Sequence, residues 1–316
     1  MRPFACEHCG SDLHLSLPDK AYLCEALPTE HRWDRGQLEQ AWLRQASERV
    51  EGSPDDFDSV FQLASLCGRL ASTSLRAGDS DPARVYLSQV VAVIDAYHQR
   101  DPTEERSRAM LMEALVEQAT VSEKLRDFGI AASAYERLAS LVGAEAEASP
   151  KSIEQQRNLS SCYNGAGRMN RAVGNLVAAK QFFEKDLGVI DKLCDLYPEH
   201  PDLPIDRAVA HFNLFLVSTS REEELLHLDM TLEILDRLPA DGAQQVEQLA
   251  QRARAERKRL MDTDDTASER LSKVTADMVR SKEQDASKRP VDDRAWLIAQ
   301  VDGVLRARRK RLHVLR

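Results

Sequence analysis

Aromatic residues make up only 5% of this 316-residue chain, and glycine occupies only 13 positions. Strands draw on aromatic and β-branched side chains, and tight hairpins draw on glycine. The shortage of both argues against a sheet protein, and the many Ala, Leu, Glu, Arg and Gln residues favour helices instead. No apolar run approaches the roughly 20 residues of a membrane span. The start, Met1-Arg2-Pro3-Phe4, lacks the apolar stretch of a signal peptide, so the expected setting is the cytoplasm, with no membrane partner. There is no glycine-rich phosphate loop, no HExxH and no GxSxG, and no catalytic role is expected of the chain. His98, His200, His211 and His227 are scattered, and Glu222, Glu223 and Glu224 fit a helix start, where negative charge is favoured. A net charge of -9 disfavours a surface that binds nucleic acid as a whole.

Cysteine is also sparse, with six residues in two groups. Cys67, Cys162 and Cys194 fall on apolar helix faces and read as small buried hydrophobes. Cys6, Cys9 and Cys24 crowd the N-terminus at a spacing that reads as metal before disulfide.

Residues 1–33 differ in kind from the rest. Phe4-Ala5-Cys6-Glu7-His8-Cys9-Gly10 sets two thiols three positions apart, able to grip one ion in a tight turn, and Gly10 permits the positive φ such a turn needs. Short apolar pieces follow (Leu13, Leu15, Leu17; Tyr22, Leu23) with the alternation of small strands. The pattern resembles the first half of the zinc ribbons that open many bacterial multidomain proteins, where a Cys-x-x-Cys-Gly knuckle precedes a strand pair and a second Cys-x-x-Cys. Here the second knuckle is reduced to Cys24, with Ala26-Leu27 where its partner would stand. His31 is the candidate fourth ligand, giving the set Cys6, Cys9, Cys24 and His31 around a structural zinc ion. His8 and His14 are less well placed. The alternative is a ribbon that has lost its metal and persists as a packed hairpin.

Asp34 can cap a helix that runs to Val50 with Trp42 on its apolar face, and Gly52-Ser53-Pro54-Asp55 breaks it, so 34–55 reads as a capping helix and linker. Residues 56–240 then read as four helix pairs. Asp101-Pro102, Ser149-Pro150 and Tyr197-Pro198 separate the first units at a constant step of 48 residues. The clearest unit spans Arg157 to Asp186. Leu159, Cys162, Tyr163, Ala166, Gly167 and Met169/Asn170 share one helical face, Gly174-Asn175 breaks the pattern, and Leu176, Ala179, Phe182, Phe183 and Leu187 share a second face. Unit one places Phe61 on its apolar face and unit two places Val116. Residues 241–262 read as a capping helix, 263–290 as a polar helix or linker, and 291–316 as a basic amphipathic helix. That last segment carries Arg306, Arg308, Arg309, Lys310 and Arg311.

The units resemble tetratricopeptide (TPR) repeats of the long-helix kind found in bacterial signalling and scaffold proteins. The expected fold class is therefore all-α, a TPR-like right-handed helical solenoid with a small N-terminal zinc-ribbon-like β module. The resemblance makes Tyr163 and Ala166-Gly167 packing positions of the first helix, and Ala179 and Phe183 those of the second. Asp186 stands where the family usually has Ala, and Leu216 and Leu228 stand where small residues are usual. The resemblance also implies a concave face lined by Gly68 and Ser72, Glu117 and Val121, Asn164 and Arg168, and Asn213 and Val217. Asn side chains can bond a ligand's backbone, and Arg168 with Arg171 can meet a carboxylate. The paired Lys and Asn set of the carboxylate-clamp TPRs is missing, so capture of a peptide C-terminus is not expected.

These features predict a non-enzymatic interaction scaffold. Its partner is another protein or peptide held through Glu117, Asn164, Arg168, Arg171 and Asn213. A nucleic-acid-associated regulator, using the ribbon and the basic tail, is the alternative of a different class. A regulatory subunit of an enzyme encoded elsewhere is the third.

Overall fold

A computed structural model describes residues 4–16, 21–24, 31–238, 244 and 246–262. The expected segments at 263–290 and 291–316, with the five basic residues of the tail, lie outside the described residues, as do 241–243 and 245 of the expected 241–262 helix. The chain divides into two compact units, Met1–Ala250 and Gln251–Arg316. In the second, residues 251–262 are helical, with Ala253 and Leu260 buried. The first carries the architecture below.

It opens with a three-stranded antiparallel sheet in the order β1 (Leu13–Ser16), β2 (Ala21–Cys24), β3 (Arg32–Asp34). Leu13 faces Cys24 across the first pair, and Tyr22 faces Trp33 across the second. The third strand was not legible as one, because three residues are too few to show alternation. Asp34 then caps α1 (Arg35–Gly52), its carboxylate accepting from the Gln37 N–H at 2.8 Å, as the sequence predicts.

Eight further helices follow: α2 (Phe57–Arg76), α3 (Ser80–His98), α4 (Glu105–Lys124), α5 (Phe128–Ala148), α6 (Ile153–Ala172), α7 (Leu176–Leu196), α8 (Leu203–Phe215) and α9 (Arg221–Asp236). The protein is thus mostly helical, and each helix packs on the next in chain order. The step of 48 recurs in the first three pairs. The first helices of the pairs begin at Phe57, Glu105 and Ile153, and the second helices at Ser80, Phe128 and Leu176. Asp56, Glu104 and Ser152, again 48 apart, cap the first helices through their side chains.

The turns inside the pairs repeat as well. Gly78, Arg126 and Gly174 each adopt a positive φ, at 77°, 62° and 84°. The next residue in each case, Asp79, Asp127 or Asn175, donates its N–H back to Ser74, Ser122 or Asn170 at 2.8–2.9 Å. The N–H of the left-handed residue itself reaches Leu75, Glu123 or Arg171. This is the two-bond closure that satisfies the last carbonyls of a helix. The middle turn carries arginine where the others carry glycine, so its signature is hidden from the sequence.

The period fails at α8. It has 13 residues where α2, α4 and α6 have 20, and it begins 50 residues after α6.

The packing explains which apolar residues are inside. Two ring-on-glycine contacts lock the third pair. A Cβ on Gly165 would fall 2.7 Å from the Tyr135 ring, and one on Gly167 would fall 2.5 Å from the Phe183 ring. Ala166, Ala179 and Phe183 are fully buried, as the sequence predicts. Three expectations need correction. Phe61, Val116 and Leu176 were placed on apolar faces, yet each is 45–49% exposed. Phe61 and Leu176 lie within the first two turns of their helices, and Val116 borders a groove described below.

Candidate metal centre and interaction groove

The N-terminal knuckle is built by its backbone. Gly10, at φ 74°, sends its N–H to the Cys6 carbonyl at 2.7 Å, and the Cys6 N–H reaches the Ser11 carbonyl at 2.8 Å. Cys24 ends β2, and its N–H bonds the His31 carbonyl at 3.1 Å, which brings the imidazole back over the knuckle. The ligand atoms of Cys6, Cys9, Cys24 and His31 all lie within 4.8 Å of one another. These four residues can hold a metal ion.

Two distances test the fit. Zinc bonds of about 2.3 Å to sulfur and 2.0 Å to nitrogen, arranged tetrahedrally, set two sulfurs about 3.8 Å apart and a sulfur and a nitrogen about 3.5 Å apart. The Cys9 and Cys24 sulfurs are 3.7 Å apart, and the Cys6 sulfur lies 3.5 Å from His31 Nδ1. Cys24 Sγ sits closer to the ring, at 3.1 Å, and also accepts the His31 N–H at 3.3 Å. Burial opposes the Cys6 thiolate, but the N–H groups of His8 and Cys9 and the neighbouring thiols outweigh it and hold the Cys6 pKa down at about 6. Cys67 and Cys162 behave in the opposite way: burial pushes each thiol up to about 11. His8 instead stacks on Trp33 at 5.1 Å, and the exposed His14 lies on β1; neither joins the cluster.

This module is fastened to the helices by two kinds of contact. Trp42, 1% exposed, packs against Phe4 and Tyr22 on one side and belongs to a cluster with Leu66 and Leu70 of α2. Glu39, 4% exposed, accepts from Tyr22 Oη at 2.9 Å, Tyr86 Oη at 3.0 Å and Arg35 Nε at 2.9 Å. Arg35 continues to Ser74 at 2.8 Å and Asp79 at 2.6 Å. Burial and the Glu39 charge push both phenols well above their usual range. Sequence reasoning missed this network. Its one visible trace is a charged residue, Glu39, between the apolar positions Leu38 and Trp42.

The residues expected on the concave face have separate fates. Glu117 is exposed and lines a groove of about 970 Å³ between α4, α5 and α6. Asn164 is turned inward and donates to Asp186 at 3.3 Å. Asp186 is 3% exposed and also accepts from Ser160 Oγ at 2.5 Å. Burial raises its pKa to about 6 against the pull of those two donors, with Asp206 adding to the rise. Arg168 is exposed but paired with Glu123 of α4, and Arg171 is exposed at the end of α6. Asn213, in the last turn of α8, and Val217 are buried, at 8% and 2% exposed, so the expectation that Asn213 meets a partner is corrected: that face of α8 packs inward. His211 and His227 also meet, with Nδ1 atoms 3.2 Å apart, and burial with the facing ring lowers His211 to about 4.

No helix among the described residues is long and apolar enough to cross a membrane. Neither a protein-family model nor a curated protein matches the sequence. Among solved structures, the crystal structure of BtubC (BKLC) from P. vanneervenii aligns with 72% of this chain and 89% of that chain, at 11% identity and a TM-score of 0.31.

Proposed function

We propose that this chain is a non-enzymatic interaction scaffold, in which a zinc-held N-terminal module closes one end of a TPR-like right-handed array and a partner protein lies against the helices. The observation that carries this reading is the α4–α5–α6 groove. It is a surface channel of about 970 Å³ with an apolar floor. Val116 stands at its edge, 48% exposed. Open apolar surface of this kind is best accounted for by a macromolecular partner. The reading of the units as TPR-like is supported by the 48-residue step and by Gly167 and Phe183 filling the small and large packing positions. Four protein ligands leave no open position on a zinc ion, so its role is structural. Thiols serving as ligands suit a reducing compartment, in keeping with the cytoplasm.

The test is native capture of the full-length chain beside Val116→Asp, with protein and nucleic acid both identified. One protein recovered near stoichiometry and lost with Val116→Asp supports the scaffold. Nucleic acid recovered equally with both forms overturns it in favour of a regulator that uses the tail. An enzyme recovered as the partner would make the chain its regulatory subunit.

A further inference from the structure

The groove has a chemistry that the scaffold reading leaves unused. Its α4 wall carries Glu105, Glu113 and Glu117, all exposed, and Glu145 stands on α5 opposite. Arg108 is the one basic residue of the lining, and it is taken by Glu145 at 3.3 Å. Glu105, Glu113 and Glu117 have no ion-pair partner among the described residues. Glu113 and Glu117 are four apart on one helix, an arrangement of like charges that weakens a helix by a few tenths of a kcal/mol. The repeat does not require them: the positions 48 residues earlier are Ser65 and Arg69, and those 48 later are Ser161 and Gly165. An unpaired acidic rail on α4, absent from the matching helices α2 and α6, is a local conflict of the kind found at binding sites. The rail runs from 105 to 117, about 18 Å along the helix at about 1.5 Å per residue. Beneath it, Met112 and Val116 of α4 face Leu138 and Val142 of α5.

From this charge pattern we propose that the groove takes an amphipathic helix of a partner protein, with an apolar stripe on the floor and lysines or arginines against the acidic rail. The inference rests on the scaffold reading and adds the class of partner. A salt-sensitive, cation-selective site follows, since the rim charges are exposed and screened by ions.

The test uses the full-length chain and three fluorescein-labelled helical peptides, read by anisotropy. One has a leucine stripe with lysine flanks, the second replaces lysine by glutamate, and the third replaces leucine by serine. The expected result is that the first binds at least about tenfold tighter than either other. Glu113→Gln/Glu117→Gln should weaken it about fivefold, the effect of two exposed ion contacts. Glu51→Gln/Glu199→Gln removes the same charge from exposed sites elsewhere and should leave binding unchanged. Equal loss in both double variants means attraction by net charge alone and overturns the proposal. Preference for the acidic peptide, lost with Val116→Asp, overturns the partner class but keeps the scaffold. Binding by none of the three overturns the groove as a peptide site and with it the observation on which the scaffold stands.

Discussion

The N-terminal module and the helical pairs hold their folds by opposite means. The module has few apolar residues of its own: Cys6, Leu13, Tyr22 and Cys24 are buried, and they share a cluster with Leu38, Trp42, Leu66 and Leu70 of the helices. Its short strands are too small to fold alone; the Glu39 network ties them to the helices, and a metal ion on Cys6, Cys9, Cys24 and His31 would add a second fastening. The helical pairs need no such device. Their core runs without interruption from Leu63 to Cys162, and each pair supplies the surface that the next covers. The difference shows in the cysteines: the Cys6 thiol of the module is held down at about 6, whereas burial pushes Cys67 and Cys162 of the pairs up to about 11.

The sharpest way to break the comparison is to remove the metal site. Cys24→Ser, or a chelator, should unfold residues 4–34 while leaving α2–α7 helical, because structural zinc contributes on the order of 10 kcal/mol to small modules. One zinc per chain by elemental analysis, absent in Cys24→Ser, is the matching measurement. Intact strands in a metal-free protein would mean that the module persists as a packed hairpin.

Next in size is Glu39→Ala, which strands Tyr22, Tyr86 and Arg35 at the boundary. We expect a loss of about 3 kcal/mol in denaturant unfolding, with the module released first. Gly167→Ala drives a methyl group into Phe183 and should cost about 2 kcal/mol. Phe183→Leu in the same chain should recover part of that loss. Equal stability of the two glycine forms would refute the close approach of α6 and α7.

Asp186 gives a pH dependence confined to the helical pairs. Its folded pKa of about 6 lies above that of a free carboxylate, so the folded chain binds the extra proton between about pH 4 and 6. The Asp186 contribution to stability therefore falls as pH rises through that window and stays at the lower level above it, by up to about 2–3 kcal/mol, while His211, held at about 4, contributes with the opposite sign. Asp186→Asn should flatten the slope, which thermal melts at pH 4 to 7 would reveal. The smallest effects belong to the surface: Leu176→Ser should change stability by less than about 0.5 kcal/mol, and Arg126→Gly should raise it by a similar amount by relieving a left-handed arginine.

These particulars show what the sequence could and could not disclose. The 48-residue step and the unit-three packing were legible because Pro and Gly punctuate the chain at fixed intervals and Gly167 has no side chain for Phe183 to displace. The ligand set was legible because cysteine spacing is itself the signal. The groove was only half legible. The resemblance assigns a face but not its depth, so it placed Asn213 outward and Asn164 toward a partner, whereas Asn213 is buried and Asn164 donates inward to Asp186. The Glu39 network was hidden because its members, Tyr22, Arg35, Glu39 and Tyr86, are distant in sequence and individually ordinary.

The three matching turns at Gly78, Arg126 and Gly174 make the chain a text with interchangeable sentences. Because the first three pairs begin and end in the same phase, duplicating residues 105–152 should lengthen the molecule by one pair without disturbing its neighbours. The same insertion beyond α8 should fail, because there the phrase is seven residues short and the next helix no longer finds its place.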